Sequence, residues 1–454
     1  MCLKRIFVFC ITVVSLLTGF SPRTDGTGAL HSAAYQDDLQ TAQLLISAGA
    51  DVKAANRYGV TPLSLACTNG NGAMVELLLQ AGADPNTALF GGETALMTAA
   101  RTGKVEVVKA LLSHGADVHA KESKQGQTAL MWAAADGHVE TVKALIEAGA
   151  DVRARLDSGF TAFLFAVREG QSGVVRALLH AGADANETIQ TRKASGPRPA
   201  SGAGAPRPGT SALVLAVTNG HFELAASLLD AGADPNAAVQ GWTALHAITW
   251  VRKPGGGDND PAPQGSGKLS SIQFIKKLAA KGADLNARMP RKVNVGLTGL
   301  NTAGATPFLL AARSADAELM RTLAALGADP LLPNVDGATP LIVAAGLGTR
   351  SPGEDAGTES EVLEAVQAAL DLGNDLNAVD NNGETAMHGA AYKNLPAVVR
   401  LLAEKGAKME IWDRKNKYGW TPLTIAEGRR FGNFKPSVVT VAAFREVMGK
   451  AARQ

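Results

Sequence analysis

The stretch Gln125–Val152, QGQTALMWAAADGHVETVKALIEAGADV, is one period of a chain that repeats itself. Its marks are a Thr-x-Leu beginning at Thr128, Gly137 near the middle, and a closing Gly-Ala-Asp that ends at Asp151. The same tripeptide ends at Asp51, Asp84, Asp117, Asp184, Asp234, Asp284 and Asp329, with the variants Gly-Asn-Asp at Asp375 and Gly-Ala-Lys at Lys408. The first endings are 33, 33, 34 and 33 residues apart. Thr/Ser-x-Leu/Phe/Met starts in register at Thr61, Thr94, Thr128, Thr161, Ser211, Thr243, Thr306, Thr339, Thr385 and Thr421. Two markers keeping one phase over most of the chain define a repeat before any fold is considered.

Each period reads as two helices. Thr61, Thr306, Thr339 and Thr421 are followed by Pro, so a hydroxyl cap precedes a residue pre-set for the first helical turn. In TALMTAARTG (Thr94–Gly103), Leu96, Ala99 and Ala100 form an apolar stripe at helical spacing, and Gly103 supplies the stop. In VEVVKALLSHG, Val107, Val108, Leu111 and Leu112 share a face, and Gly115 ends the second helix. No such pair can bury its apolar faces alone, so neighbouring units must stack.

The pattern G-x-T-P-L-x-x-A-A-x-x-G-x-x-x-V-V-x-x-L-L-x-x-G-A-D resembles the ankyrin repeat. Gln125–Val152 and DGATPLIVAA (Asp336–Ala345) follow it closely, and the resemblance runs over about residues 27–430. It implies an all-α solenoid of stacked helix–turn–helix units with short β-hairpin fingers, about eleven units over residues 26–454 once divergent ends are included. The ends depart from the pattern: GALHSAA (Gly28–Ala34) lacks Thr-x-Leu, and PSVVTVAAFREVM reads as a divergent capping helix.

Composition agrees. Of 454 residues, 46% are hydrophobic and 19% charged, enough for a core, while aromatics at 5% favour thin helices packed through small residues. A net charge of +2 predicts no nucleic-acid partner for the chain as a whole. In residues 1–25, Lys4 and Arg5 precede an apolar run, Ile6–Phe20, suited to an export signal and too short for a membrane span. The expected reading is a cleaved signal on an exported, bacterial-type protein, periplasmic or secreted. An uncleaved anchor, which alone would bring in the membrane, and a misassigned start are the alternatives. Cys2 and Cys10 lie in this segment, so the mature chain keeps only Cys67 and forms no internal disulfide.

The markers also locate insertions. Thr/Ser to closing Asp spans 23 residues in a regular unit, 41 for Thr243–Asp284 and 36 for Thr339–Asp375. Asp184–Ser211 and Asp284–Thr306 span 27 and 22 where 9 to 11 is usual. The added segments, near 189–209, 251–268, 287–304 and 346–361, all fall at turns, where growth costs little closure entropy. WTALHAITWVRKPGGGDNDPAPQGSG (Trp242–Gly267) is therefore an enlarged helix–helix turn within one unit, with Ser271–Gly282 as its second helix. By family geometry the between-unit insertions are fingers on the concave face, and the within-unit ones lie at the opposite edge. The fingers are basic, with Arg192, Lys193, Arg198 and Arg207 in one and Arg288, Arg291 and Lys292 in the other. Gly346–Glu361 is acidic through Glu354, Asp355, Glu359 and Glu361. Basic fingers suit a partner with an acidic surface; solvated loops without a partner are the plainer reading.

Chemistry is hard to find. His31, His246 and His388 occupy one recurring slot, His138 and His221 another, and His114 and His180 precede the closing tripeptide, leaving His119 in a finger. There is no His-Glu-x-x-His and no paired Cys. GSGK (Gly265–Lys268) lacks the Ser/Thr and the earlier Gly of a phosphate loop. The recurring Asp reads as a turn former and Cys67 as a packing residue. The expectation is no enzyme, no cofactor and no metal: a scaffold binding a protein of unknown identity through its concave face and fingers, or else a membrane-anchored accessory subunit of an envelope complex. Recognition falls on the slots that vary. Between the turn Gly and Thr these include Phe160, Glu384, Trp242 and Trp420. At the exposed end of the first helix they are Tyr35, Arg101, Asp136, Arg168, Arg313 and Tyr392. Finger tips add Arg57, Tyr58 and Phe90 to Arg192, Lys193, Arg291 and Lys292. Trp242 and Phe160 have packing against a neighbouring finger as their alternative role.

Overall fold

A computed structural model describes residues 26–190, 208–254, 262–293, 299–353, 356–430 and 436–451. The chain divides into two compact units, the helices from Ala29–Tyr35 to Ser172–His180 belonging to the first and those from Ala212–Thr218 to Val438–Ala451 to the second. Among the described residues the first holds five helix pairs, including Ala95–Thr102 with Val105–Ser113 and Ala129–Ala135 with Val139–Glu147. In the second, Ala244–Arg252 pairs with Ser271–Ala280, Pro307–Arg313 with Ala317–Ala325, Pro340–Ala344 with Glu359–Asp371, and Ala386–Lys393 with Pro396–Glu404. Met409–Trp412, Pro422–Ala426 and the terminal Val438–Ala451 close it; the last packs on Pro396–Glu404 and Pro422–Ala426, as a cap should.

Local chemistry follows the repeat. Thr94 accepts from the Met97 N–H, Thr128 from Met131, Ser211 from Val214 and Thr306 from Leu309, so the recurring hydroxyl is a helix N-cap. Gly103 ends its helix at φ 71°, a left-handed cap that glycine adopts without strain. Within each unit, first helices pack on first helices through fully buried alanines such as Ala66, Ala99, Ala100, Ala133 and Ala312, whose small side chains allow close approach.

Polar stitches join neighbouring repeats. The closing Asp accepts from the N–H two residues on, Asp117 from His119 and Asp284 from Asn286, confirming its turn role. Two residues after that Asp, an Asn reaches the next repeat: Asn86 donates to Gly115 O and accepts from Asp117 N, and Asn236 does the same with Gly282 and Asp284. The recurring histidines do likewise, His31 bonding Val60 O at 3.0 Å and His246 bonding Ala305 O at 3.2 Å. Among the described residues the fingers form no sheet. They are closed by isolated bridges such as Ala88–Thr94 and tied to each other by single backbone bonds, for example Asn381 N to Asp336 O and Lys417 N to Asn382 O.

The enlarged turn after Trp242 holds the second unit together in a way its composition did not suggest. The helix Ala244–Arg252 continues to Arg252, whose guanidinium grips Asp316 of the next repeat at 2.7 and 3.2 Å and Glu318 at 2.8 Å. Lys253 reaches one repeat further, to Glu361 at 2.8 Å. Glu361, held well down at about 2 by Lys253 and by the Thr358 N–H, opens the lengthened helix Glu359–Asp371, and Glu359 accepts from Ala397 N. Two acids of the 346–361 insertion are thus committed to packing rather than to a free acidic face; Glu354 and Asp355 lie outside the described residues.

Asp316 is 2% exposed, so removing its partner strands a buried charge. Arg252→Ala is expected to cost about 3 kcal/mol or more, whereas Arg252→Met combined with Asp316→Leu should cost clearly less. Urea unfolding of the three proteins checks this; a single variant as stable as the parent would show that the pair holds nothing.

Candidate functional site

The variable slots that the repeat singles out are not independent. The residue before the N-cap Thr and the residue seven after it meet across the inner face of the repeat: Glu93 with Arg101 at 3.3 Å, Phe160 with Arg168 (guanidinium to ring centroid 5.3 Å), Trp242 with Trp250 (6.0 Å between centroids), and Glu384 with Tyr392 at 3.0 Å. Helical side chains lean toward the N-terminus, so a long side chain two turns in covers the cap and touches what precedes it.

This pairing decides which predicted residues face solvent. Phe160 and Trp242, 7% and 9% exposed, are packed inward, Phe160 under Arg168 and against Phe165, Trp242 against Trp250; they are core residues of the inner face, not presented anchors. Arg101 lies over Trp132 while pairing with Glu93, and Arg168 pairs with Glu169. Tyr35 and Phe90 stand exposed, as does Tyr58, on whose ring Arg57 stacks at 4.7 Å. Asp136 is exposed and Arg313 half-buried. Arg291 donates to Gln240 O at 3.3 Å. Arg192 and Lys193, with Arg198 and Arg207, lie outside the described residues.

Lys292, Tyr392 and Trp420 come together. They line a cleft of about 680 Å³ in the second unit, between the finger tips 334–338, 380–384 and 417–420, the helix end at Tyr392, and Arg430 in the turn after Pro422–Ala426. Its remaining wall is built by two insertions expected at opposite edges. Residues 287–293 and 299–304 pair with each other, Gly304 N donating to Met289 O and Thr302 Oγ1 bonding both N and O of Val293; Met289, Val293, Leu300 and Thr302 are buried. Residues 299–304 also contact residues 346–353, where Gly299 N donates to Gly348 O at 2.7 Å. A backbone hydrogen bond thus joins the two kinds of insertion. Gly348 sits at φ 91°, and a Cβ there would fall 2.7 Å from Leu300 N, so the crossing requires glycine.

The floor is polar and deep. Asn56, Asn334 and Asn416 each turn their finger by accepting two backbone N–H groups; in the finger between the last two, Asp380 does so instead, from Asn382 and Glu384 at 2.8 Å each. Burial raises the Asp380 carboxyl, and the charge of Asp336 adds to the rise. Glu384, 4% exposed, accepts at Oε1 from Tyr392 OH (3.0 Å) and Asn416 Nδ2 (2.9 Å), while its Oε2 has no hydrogen-bond partner among the described residues. Burial pushes this carboxyl up to about 7, with the Asp380 charge contributing, against the lowering effect of the Tyr392 hydrogen bond. Trp420 stacks beside Tyr418, centroids 5.1 Å apart, at the far side.

The other candidates for chemistry resolve into scaffold. Cys67 is fully buried and its thiol is pushed up to about 12 by desolvation, which removes the reactive thiolate. His246 and His388 are held down at about 4 by burial. The GSGK segment is tied to the preceding repeat, Ser266 N to His221 Nδ1 and Lys268 N to Glu223. Among the described residues no group of His, Cys, Asp and Glu is arranged to hold a metal, and no helix is long and apolar enough to cross a membrane.

Comparison with known proteins agrees with the geometry. The family profile described as ankyrin repeats (three copies) matches residues 9–89, 30–122, 96–189 and 356–433, and the profile for a single ankyrin repeat matches 209–238. Together these cover more than half of the chain. An ankyrin repeat protein of fowlpox virus (strain NVSL) is 46% identical over 48 residues, 11% of this chain and 11% of that protein. The chain thus spans about a tenth of the length of the curated relative it matches.

Glu384 gives the cleft a pH signature. With a folded pKa of about 7 against 4.5 for an ordinary Glu, the folded state holds a proton that the unfolded state has released. Its stabilising contribution is therefore full below pH 4.5 and lost as pH rises through about 7. Glu384→Gln stays neutral throughout, so the variant is expected to gain stability over the parent between pH 5 and pH 8; His246 and His388 titrate identically in both and cancel. Parallel urea titrations at the two pH values read the difference, and an equal pH dependence would mean that Glu384 is ionised at pH 5.

Proposed function

The chain belongs to the ankyrin-repeat family, and on that premise we propose that it is an exported, non-catalytic scaffold that holds a protein partner against its concave face and fingers, with the cleft of the second unit as the principal contact. Ankyrin repeats are protein–protein interaction modules, which supplies the class of function. The cleft carries the more specific reading: side chains from variable slots, Glu384, Tyr392 and Trp420, converge there with Lys292 from an insertion. Concave sites of 300–1,000 Å³ with a few convergent polar groups are where ligands are recognised. The basic fingers add an electrostatic approach for a partner with an acidic surface; Arg288 and Lys292 are exposed for it. Export rests on the charged and apolar pattern of residues 1–25, and retention of that segment would make the protein a membrane-anchored accessory subunit instead.

Crosslinking and affinity capture from the native compartment tests the contact. Trp420→Ala combined with Lys292→Glu is expected to reduce recovery of the specifically crosslinked partner by at least tenfold, as loss of an aromatic anchor does, with the folded state retained in urea unfolding. Undiminished recovery would remove the cleft from the interface. Removing Ile189–Arg207 should lower recovery mainly at low salt if the first basic finger steers the encounter. Alkaline-washed membranes and sequencing of the mature N-terminus decide localisation: a soluble protein starting near residue 26 is expected, and a washed-membrane protein retaining Met1 would support the anchored alternative.

A further inference from the structure

We propose that the cleft of the second unit is a receptor for a single ammonium or guanidinium group, borne by a lysine or arginine side chain of the partner, with Glu384 Oε2 as its acceptor; this deepens the protein-binding reading above and rests on it.

The argument starts from an unfilled valence. Oε1 of Glu384 already takes two donors, from Tyr392 and Asn416, whereas Oε2, buried within a side chain that lines the cleft, takes none. A buried carboxylate oxygen without a donor is costly, and a charged donor repays that cost best. The neighbouring acids favour the same sign. Asp380, four residues earlier, and Asp336, on the preceding finger, line the same cleft; the Asp336 charge raises the Asp380 carboxyl and the Asp380 charge raises that of Glu384. An arriving cation relieves all three.

The resident cations are committed elsewhere. Lys417 Nζ donates to Asn382 Oδ1 at 2.6 Å and lies over the Tyr418 ring, and Arg430 donates to the Tyr392 carbonyl and covers the Tyr392 ring at 5.6 Å. None of the four cations that line the cleft, Lys292, Arg350, Lys417 and Arg430, donates to Oε2, so its place is left for an incoming donor. Trp420 offers an aromatic wall for the methylene stem and the charged head of an entering side chain. At the rim, Lys292 and Arg350 repel a second cation. A lone basic residue with acidic neighbours in sequence suits this distribution, and a polybasic segment does not.

Saturation-transfer NMR on the full chain at pH 8 tests the assignment with three probes of one size: n-butylammonium, 1-butanol and butyrate. The expected result is that n-butylammonium binds at least tenfold more tightly than either of the others, and that Glu384→Gln abolishes the preference. Butanol binding equally would assign the cleft to apolar stems, and butyrate binding best would assign it to anions at the rim bases; either overturns the proposal. So does an absence of n-butylammonium binding, or a preference that survives in Glu384→Gln. The comparison among probes on the parent protein stands even if the variant misfolds. Failure here alongside Trp420-dependent capture would remove the cation and leave the protein-binding reading intact, whereas ammonium binding without such capture would do the reverse.

Discussion

Each repeat presents an alanine-rich first helix that only the first helix of its neighbour can cover. Ala99, Ala100, Ala133 and Ala134 are fully buried, yet each removes little apolar surface, so no single contact stabilises a repeat. Stability comes from repetition, and anything that fixes the distance between neighbours reinforces it. That explains why the polar stitches recur with the packing. Asn86, Asn236 and the histidines His31 and His246 all satisfy a carbonyl on the following repeat. The histidines close buried or half-buried acceptors that stacking would otherwise leave without a donor, whereas the Asn bonds lie at exposed turns.

Insertions test such a scheme, since a loop between helices could wedge neighbours apart. Here they do the opposite. Arg252 and Lys253, at the start of the longest enlarged turn, reach forward over two repeats to Asp316 and Glu361. Residues 299–304 meet residues 346–353 and tie a finger to a helix–helix turn through Gly299 and Gly348. Both use backbone or charged groups that a regular ankyrin repeat does not carry, which compensates for the closure entropy of the added chain. The crossing also turns an open groove into a walled cleft.

Within that cleft the protein tolerates an arrangement that packing alone would avoid. Glu384 is buried beside Asp380, and one of its oxygens lacks a partner, a combination that costs stability at neutral pH. At the place of Asp380 the two neighbouring fingers carry Asn334 and Asn416, which turn the chain without charge. Local violations of polar satisfaction are expected at functional positions, where binding completes what folding leaves open.

The sequence by itself determined the repeat, its phase, the two helices per unit, the hydroxyl caps, the structural role of the recurring Asp and most His, and the places where residues were added. All of these are encoded within a few residues of one another, in periodicity and turn chemistry. It also named Tyr392, Trp420, Lys292 and Glu384 as variable positions, though scattered over more than a hundred residues. What only the tertiary structure decided was which variable positions meet. Phe160 and Trp242 turned inward because the residue seven after the cap leans back over them. Two loops assigned to opposite edges joined because one backbone amide found one carbonyl, Gly299 to Gly348. Such pairings depend on side-chain direction and loop path in three dimensions, and neither leaves a period in the sequence.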